Sequence, residues 1–111
     1  MPGAKNLLEH DGVCSALMLQ NEKGRKIAAI CAAPMVLGQN GILNSRRATC
    51  YPGFERYLDG ADYTGDMVTV DGNITTGRGP GAAMAFAYQI LSYFVDHATV
   101  EDLKKGMIYK Q

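Results

Sequence analysis

The residues most able to do chemistry begin with Cys31. It closes the apolar run Ile27-Ala28-Ala29-Ile30 and is followed by Ala32-Ala33-Pro34 and further apolar sequence. This is the pattern of a buried strand handing over to a helix. A cysteine at such a junction sits beneath a helix N-terminus, where unpaired N–H groups and the positive end of the helix dipole favour an anion. The thiolate is such an anion and is the nucleophilic form of cysteine. The same junction also suits a buried structural thiol, since free cysteine is among the most buried residue types. As a nucleophile, Cys31 would use the backbone N–H of Ala32 to hold an oxyanion.

The other reactive side chains read differently. Cys50 directly precedes Tyr51, and alternation along a strand points the two to opposite faces; Cys50 is expected to be a packed thiol, with a resolving thiol as the alternative. Cys14 falls on a helix and is expected to be structural. His10 and His97 lack metal-ligand spacing with the cysteines and are expected to be solvated, so neither a metal nor a cofactor is indicated. Met67, Met84 and Met107 read as core filler. Arg78-Gly79-Pro80-Gly81 lacks the Gly-Lys-Ser/Thr ending of a phosphate loop and reads as a tight strand-to-helix turn.

The elements that must position these groups follow from pattern and punctuation. Asp11–Lys23 has helical spacing and stops at Gly24. Ile27–Ile30 reads as the buried centre of a parallel sheet. A helix starting at Pro34 runs to about Gln39 and ends at Asn40-Gly41. Arg47–Tyr51 reads as a short strand and Phe54–Leu58 as a helical turn. Met67–Val70 and Asn73–Thr76 flank an Asp71-Gly72 hairpin loop. Ala82–Val95 is apolar nearly all round and should be a well-buried helix. Thr99 with Asp102 resembles the capping box of a last short helix, and Gly106–Tyr109 reads as a terminal strand or tail. Strands alternating with helices give an α/β layered fold, a single domain over residues 1–111.

Composition narrows the functions. The 11 basic and 11 acidic residues cancel, which leaves no basic footprint for nucleic acid. No apolar run approaches the roughly 20 residues of a membrane span. Met1–Gly12 has no signal-peptide core, so the cytoplasm is the expected compartment. Three cysteines, an odd count, do not make a disulfide framework.

Several segments together carry a resemblance. Ile30-Cys31-Ala32-Ala33-Pro34, Ala48-Thr49-Cys50-Tyr51-Pro52-Gly53-Phe54-Glu55, Asp71-Gly72-Asn73 and Thr76-Gly77-Arg78-Gly79-Pro80-Gly81-Ala82-Ala83 occur in this order. The chain thereby resembles the ThiJ/PfpI superfamily, in the branch of the Parkinson-disease deglycase and the bacterial YajL-like proteins. The resemblance implies a flavodoxin-like three-layer α/β sandwich with a mostly parallel sheet, usually as a homodimer. It puts Cys31 at the family's nucleophile or redox-sensing position, and Gly77, Arg78, Gly79 and Pro80 at the pocket rim or dimer contact. Tyr51 stands where many members carry a histidine; a phenol donates a hydrogen bond but is a poor base near neutral pH. The implied function is a cofactor-independent cysteine enzyme acting on small carbonyl compounds or glycated proteins. A redox-sensing or chaperone-like protein using the same thiol without turnover is the alternative, as is an inactive fragment. The family's first strands, its acidic partner to the cysteine and its Pro-Gly-Gly turn have no counterpart here. Met1-Pro2-Gly3-Ala4 reads as the interior of a longer protein, so the expectation is a truncated domain, or a short variant that completes its sheet by association with itself or with a missing N-terminal segment.

Overall fold

A computed structural model describes residues 2–106. Helix α1 (Pro2–Leu8) leads into α2 (Asp11–Glu22), strand β1 (Ile27–Ile30) and α3 (Pro34–Gln39). Strands β2 (Arg47–Ala48) and β3 (Asp62–Tyr63) flank a 3-10 turn at Glu55–Tyr57. The hairpin of β4 (Val68–Asp71) and β5 (Ile74–Gly77) then leads through a 3-10 turn at Pro80–Ala82 into α4 (Ala83–Leu91), and α5 (His97–Gly106) follows. Of the terminal strand or tail expected over Gly106–Tyr109, Gly106 instead closes α5; the rest, with the reading of Met107, lies outside the described residues.

The sheet is mixed, where a mostly parallel one was expected. Its strand order is β1-β5-β4, with β1 parallel to β5 and β4 antiparallel to it; β2 and β3 form a separate parallel pair. A two-residue connection can join only antiparallel neighbours, and the hairpin imposes that direction. Its loop is Gly72-Asn73, one residue later than expected, because Asp71 still pairs with Ile74. Strand β1 has the expected boundaries but a different place. Among the described residues it lies at the sheet edge, paired with β5 alone, and Ala28 is exposed.

The strand expected over Arg47–Tyr51 pairs as a strand only through Ala48. Beyond it the Thr49 N–H donates to the Thr76 hydroxyl (2.9 Å), and the Thr49 hydroxyl donates to the Asp66 carbonyl (2.7 Å). Side chains here take over the role of a backbone ladder, which leaves Cys50 and Tyr51 free to turn. The core beneath gathers Ile27, Leu37, Ile42, Leu43, Ala48, Cys50, Leu58 and Ile74.

Two helix expectations need correction. Helix α4 is not buried all round: it packs against β5 and β1, only Tyr88 is fully buried, and Met84 stays exposed. The cap of α5 is Asp96 rather than Thr99, its carboxylate accepting the Thr99 N–H at 2.7 Å. His10 is exposed, as expected, and also caps α2, its Nδ1 accepting the Val13 N–H at 3.1 Å. The helix following β1 agrees with expectation, with Pro34 in its first turn and Asn40 as its C-cap.

Candidate active site

Cys31 sits in the left-handed backbone region at φ 64°. A residue with a Cβ pays of order 1–3 kcal/mol for such a conformation and keeps it only where the surroundings impose it. Here both backbone groups are pinned. The Cys31 N–H donates to the Gly77 carbonyl (3.0 Å), and its carbonyl accepts the Tyr51 N–H (2.7 Å). The parallel register explains the first bond, since Ile30 pairs with Gly77 and the chain leaves β1 one residue later. The sharp turn that follows holds the thiol partly exposed.

Helix α3 has its expected length, but its N-terminus offers fewer free donors than expected. Helix α3 has six residues, and its entry is wound tightly. The Ala33, Met35 and Val36 N–H groups donate to the carbonyls three residues back, at 3.1, 3.1 and 2.9 Å. Pro34 has no N–H. The expected cluster of orphan donors therefore reduces to the N–H of Ala32, which takes no part in these bonds and whose residue is 1% exposed.

The Gly77–Gly81 segment approaches the sulfur from the other side. A Cβ on Gly77 would lie 2.7 Å from the Phe86 ring and 2.9 Å from Ile30, so glycine is what lets α4 close on the sheet. A Cβ on Gly79 would lie 3.2 Å from the Tyr51 ring and 3.8 Å from Cys31 Sγ. Gly79 therefore adjoins both the sulfur and the phenol ring. Tyr51, itself edge-on to Phe54 with ring centres 6.2 Å apart, forms with Pro52, Met67, Arg78, Gly79, Pro80, Gly81 and Ala82 the walls of an open cleft of about 330 Å³. Of the seven residues singled out from sequence, Tyr51, Arg78, Gly79 and Pro80 line this cleft; Cys31 is bonded through its backbone to Tyr51 and Gly77, and Ala32 follows it in the chain.

Four lining residues, Pro52, Met67, Gly81 and Ala82, are not among those seven. Met67, expected in the core, is 49% exposed at the cleft wall, because its carbonyl accepts the Arg78 N–H (2.9 Å) just before β4 begins. Pro52 joins it from the turn after Tyr51. No sequence pattern marks Met67, whose place depends on the hairpin register. A hollow of about 380 Å³ between α4 and α5, lined by Tyr88, Gln89, His97, Glu101 and Lys104 among others, includes no cysteine.

The other thiols are structural in their surroundings. Cys50 is fully buried, and burial first, then the Glu55 carboxylate, pushes its pKa up from 9.0 to about 11. Its thiol donates to the Tyr51 carbonyl at 3.4 Å. Cys14 donates to the Leu8 carbonyl (3.3 Å) and accepts the Asn40 amide (3.4 Å), linking α1, α2 and the end of α3. Among the described residues no three metal-binding side chains cluster. No helix among them is long and apolar enough to cross a membrane.

Comparison with known proteins bears on the same segments. The model of the DJ-1/PfpI family matches residues 1–93. The chain is 36% identical over 108 residues to protein dj-1beta of Drosophila melanogaster, covering 96% of this chain and 58% of that one. It is 36% identical over 92 residues to a glutathione-independent glyoxalase of Caenorhabditis elegans, covering 81% of this chain and 49% of that one. It is 38% identical over 66 residues to a deglycase of Pyrococcus abyssi, covering 58% and 40%. The crystal structure of Drosophila DJ-1beta superposes with a TM-score of 0.93 at 34% identity, over 100% of this chain and 61% of that one. The chain thus spans about three fifths or less of the length of these relatives, and its fold is their flavodoxin-like α/β fold.

Proposed function

This chain belongs to the DJ-1/PfpI family, and from that premise we propose that it acts on reactive carbonyl compounds or their protein adducts, with Cys31 as nucleophile and no cofactor. The observation that carries this reading is the Cys31 backbone at φ 64°, pinned on both sides beside the Ala32 N–H, which bonds to no backbone carbonyl among the described residues. Strained backbone that the surroundings enforce is a mark of sites that hold a group ready for use. The names of two relatives, a glutathione-independent glyoxalase and a deglycase, support the carbonyl chemistry.

The reaction on a 2-oxoaldehyde balances as follows. The Cys31 thiolate adds to the aldehyde carbon, and the oxygen takes up a proton to give a hemithioacetal. The hydrogen on that carbon leaves as a proton and is returned to the neighbouring carbon, which turns the hemithioacetal into the thioester of a 2-hydroxy acid. Water then cleaves the thioester, releasing the acid and restoring the thiol. The Ala32 N–H would steady the oxyanion of the addition and hydrolysis steps. Tyr51, at the cleft wall beside Gly79, would donate a hydrogen bond to the substrate.

Lactate production from methylglyoxal by the wild type and by Cys31→Ser tests this directly. The expected result is turnover in the wild type and a loss of at least a hundredfold in the variant; equal rates would remove Cys31 from catalysis. Tyr51 favours a second reading, in which the thiol is oxidised to a sulfenic or sulfinic acid without turnover, because a phenol beside the site is a poor general base. Absence of lactate in both proteins, with peroxide oxidising Cys31 selectively, would support that use. Unpaired Cys14, Cys31 and Cys50 suit a reducing compartment such as the cytoplasm.

A further inference from the structure

We propose that the cleft beside Cys31 is a substituent subsite, which selects carbonyl compounds carrying a branched or aromatic hydrocarbon group over those carrying a methyl group. The inference rests on the reading of Cys31 as the reacting thiol and specifies its substrate class.

The walls make the case. Tyr51 contributes a ring, Pro52 and Pro80 their pyrrolidines, Met67 a thioether and Ala82 a methyl group, with Arg78 the charged residue among them. Tyr51 is 45% exposed and Met67 49%, so apolar surface stands in water at the place where a substrate would lie. Covering such surface is favourable in proportion to the apolar area removed from water. A cleft of about 330 Å³ far exceeds what a methyl substituent can fill. Cys31 does not itself line the cleft, but Gly79 does and adjoins the sulfur: a Cβ there would stand 3.2 Å from the Tyr51 ring and 3.8 Å from Sγ, so the missing side chain leaves the way from sulfur to cleft clear of one. A carbonyl carbon bonded to the sulfur would therefore direct its substituent past Gly79 along the Tyr51 ring. Gly79 is extended at φ 171°, a conformation open to any residue, so its lack of a side chain matters here for clearance. Met67, flexible and polarisable, is suited to substituents of varied shape.

The test separates the subsite from the catalytic reading. Alkylation of Cys31 by iodoacetamide and by N-benzyl-iodoacetamide is followed by peptide mass spectrometry, and the ratio of the two rates is normalised to that for glutathione. The expected normalised ratio is about tenfold, the discrimination an apolar pocket gives for added hydrocarbon. It should fall severalfold in Met67→Gln and in Gly79→Val. A normalised ratio of one in the wild type would overturn the subsite, whatever the enzyme turns over. In turnover, kcat/KM for 4-methyl-2-oxopentanal should exceed that for methylglyoxal by about tenfold; equal or lower values with both substrates consumed would overturn the selection. Benzyl selectivity without turnover of either aldehyde would leave the subsite standing and overturn the catalytic reading.

Discussion

At the scale of single residues, the three cysteines differ by environment rather than by type. Cys31 is partly exposed on a forced turn, Cys14 links helices, and Cys50 lies in the core with its ionisation opposed by burial and by Glu55. Iodoacetamide at pH 8 should therefore modify Cys31 in the native protein and leave Cys50 untouched until denaturant is added, as peptide mapping would show. The raised pKa of Cys50 also has a sign in stability. Folding favours the neutral thiol, so its contribution is intact below the unfolded value of 9.0 and is lost as pH rises towards about 11. Urea midpoints should fall across that window, and the fall should be smaller in Cys50→Ala, which itself should be about 1–2 kcal/mol less stable from the cavity it leaves. Cys31 could be singled out because a strand ending in cysteine, two alanines and proline occurs here with the Arg-Gly-Pro-Gly turn further on; the junction alone suits a structural thiol equally well. The environment of Cys50 could not be read in this way, since burial depends on residues far away in the chain.

At the scale of elements, close approach and capping decide the details. Helix α4 meets the sheet where Gly77 has no side chain, with Phe86 and Ile30 both inside 3.0 Å of a Cβ placed there. Gly77→Ala should cost about 1–3 kcal/mol as an overpacked core position, read as a lower urea midpoint with an unchanged slope. Helix α5 depends on Asp96, whose carboxyl is held below its ordinary pKa by hydrogen bonds from the Thr99 hydroxyl and N–H. That contribution is present above the unfolded value near 3.8 and disappears as pH falls through the lower folded value. The protection of α5 amides, corrected for intrinsic exchange, should thus fall below pH 4 in the wild type. In Asp96→Ala it should be low at every pH, and in Asp96→Asn, which still caps but cannot ionise, it should no longer fall on acidification. The boundaries of β1, α2 and α3 were legible because apolar runs and Pro/Gly punctuation act over a few residues. The cap of α5 was missed by three residues because Asp96 and Thr99 both fit an N-cap, and only the observed bond distinguishes them. The early end of β2 was illegible for another reason: it is set by a hydroxyl of Thr76, 27 positions later.

At the scale of the whole molecule, β1 gives one side to β5. The Ile27 N–H donates to the Asn73 carbonyl (2.8 Å) and the Cys31 N–H to the Gly77 carbonyl, so by alternation Ala29 faces β5 while Ala28 and Ile30 face the other way. Hydrogen exchange should alternate accordingly, with Ala29 slow and Ala28 and Ile30 fast at low protein concentration. Slow exchange at all three would show another strand seated on that edge, and its loss on dilution would identify association between chains. An open apolar edge is where such pairing begins. The sequence by itself determined the short-range structure: an apolar strand, a cysteine, a proline-started helix, a hairpin and a glycine-rich turn, together with the family that shares them. Those features depend on neighbours within about one helical turn or one hairpin. Only the tertiary structure decided that, among the described residues, the strand lies at the edge of a mixed sheet and the Ala32 N–H bonds to no backbone carbonyl, and that Met67 and Tyr51 form an apolar cleft against Gly79. Each of these is a contact between segments distant in sequence, set by strand register and by which atoms come within a few ångströms, and no local pattern encodes that.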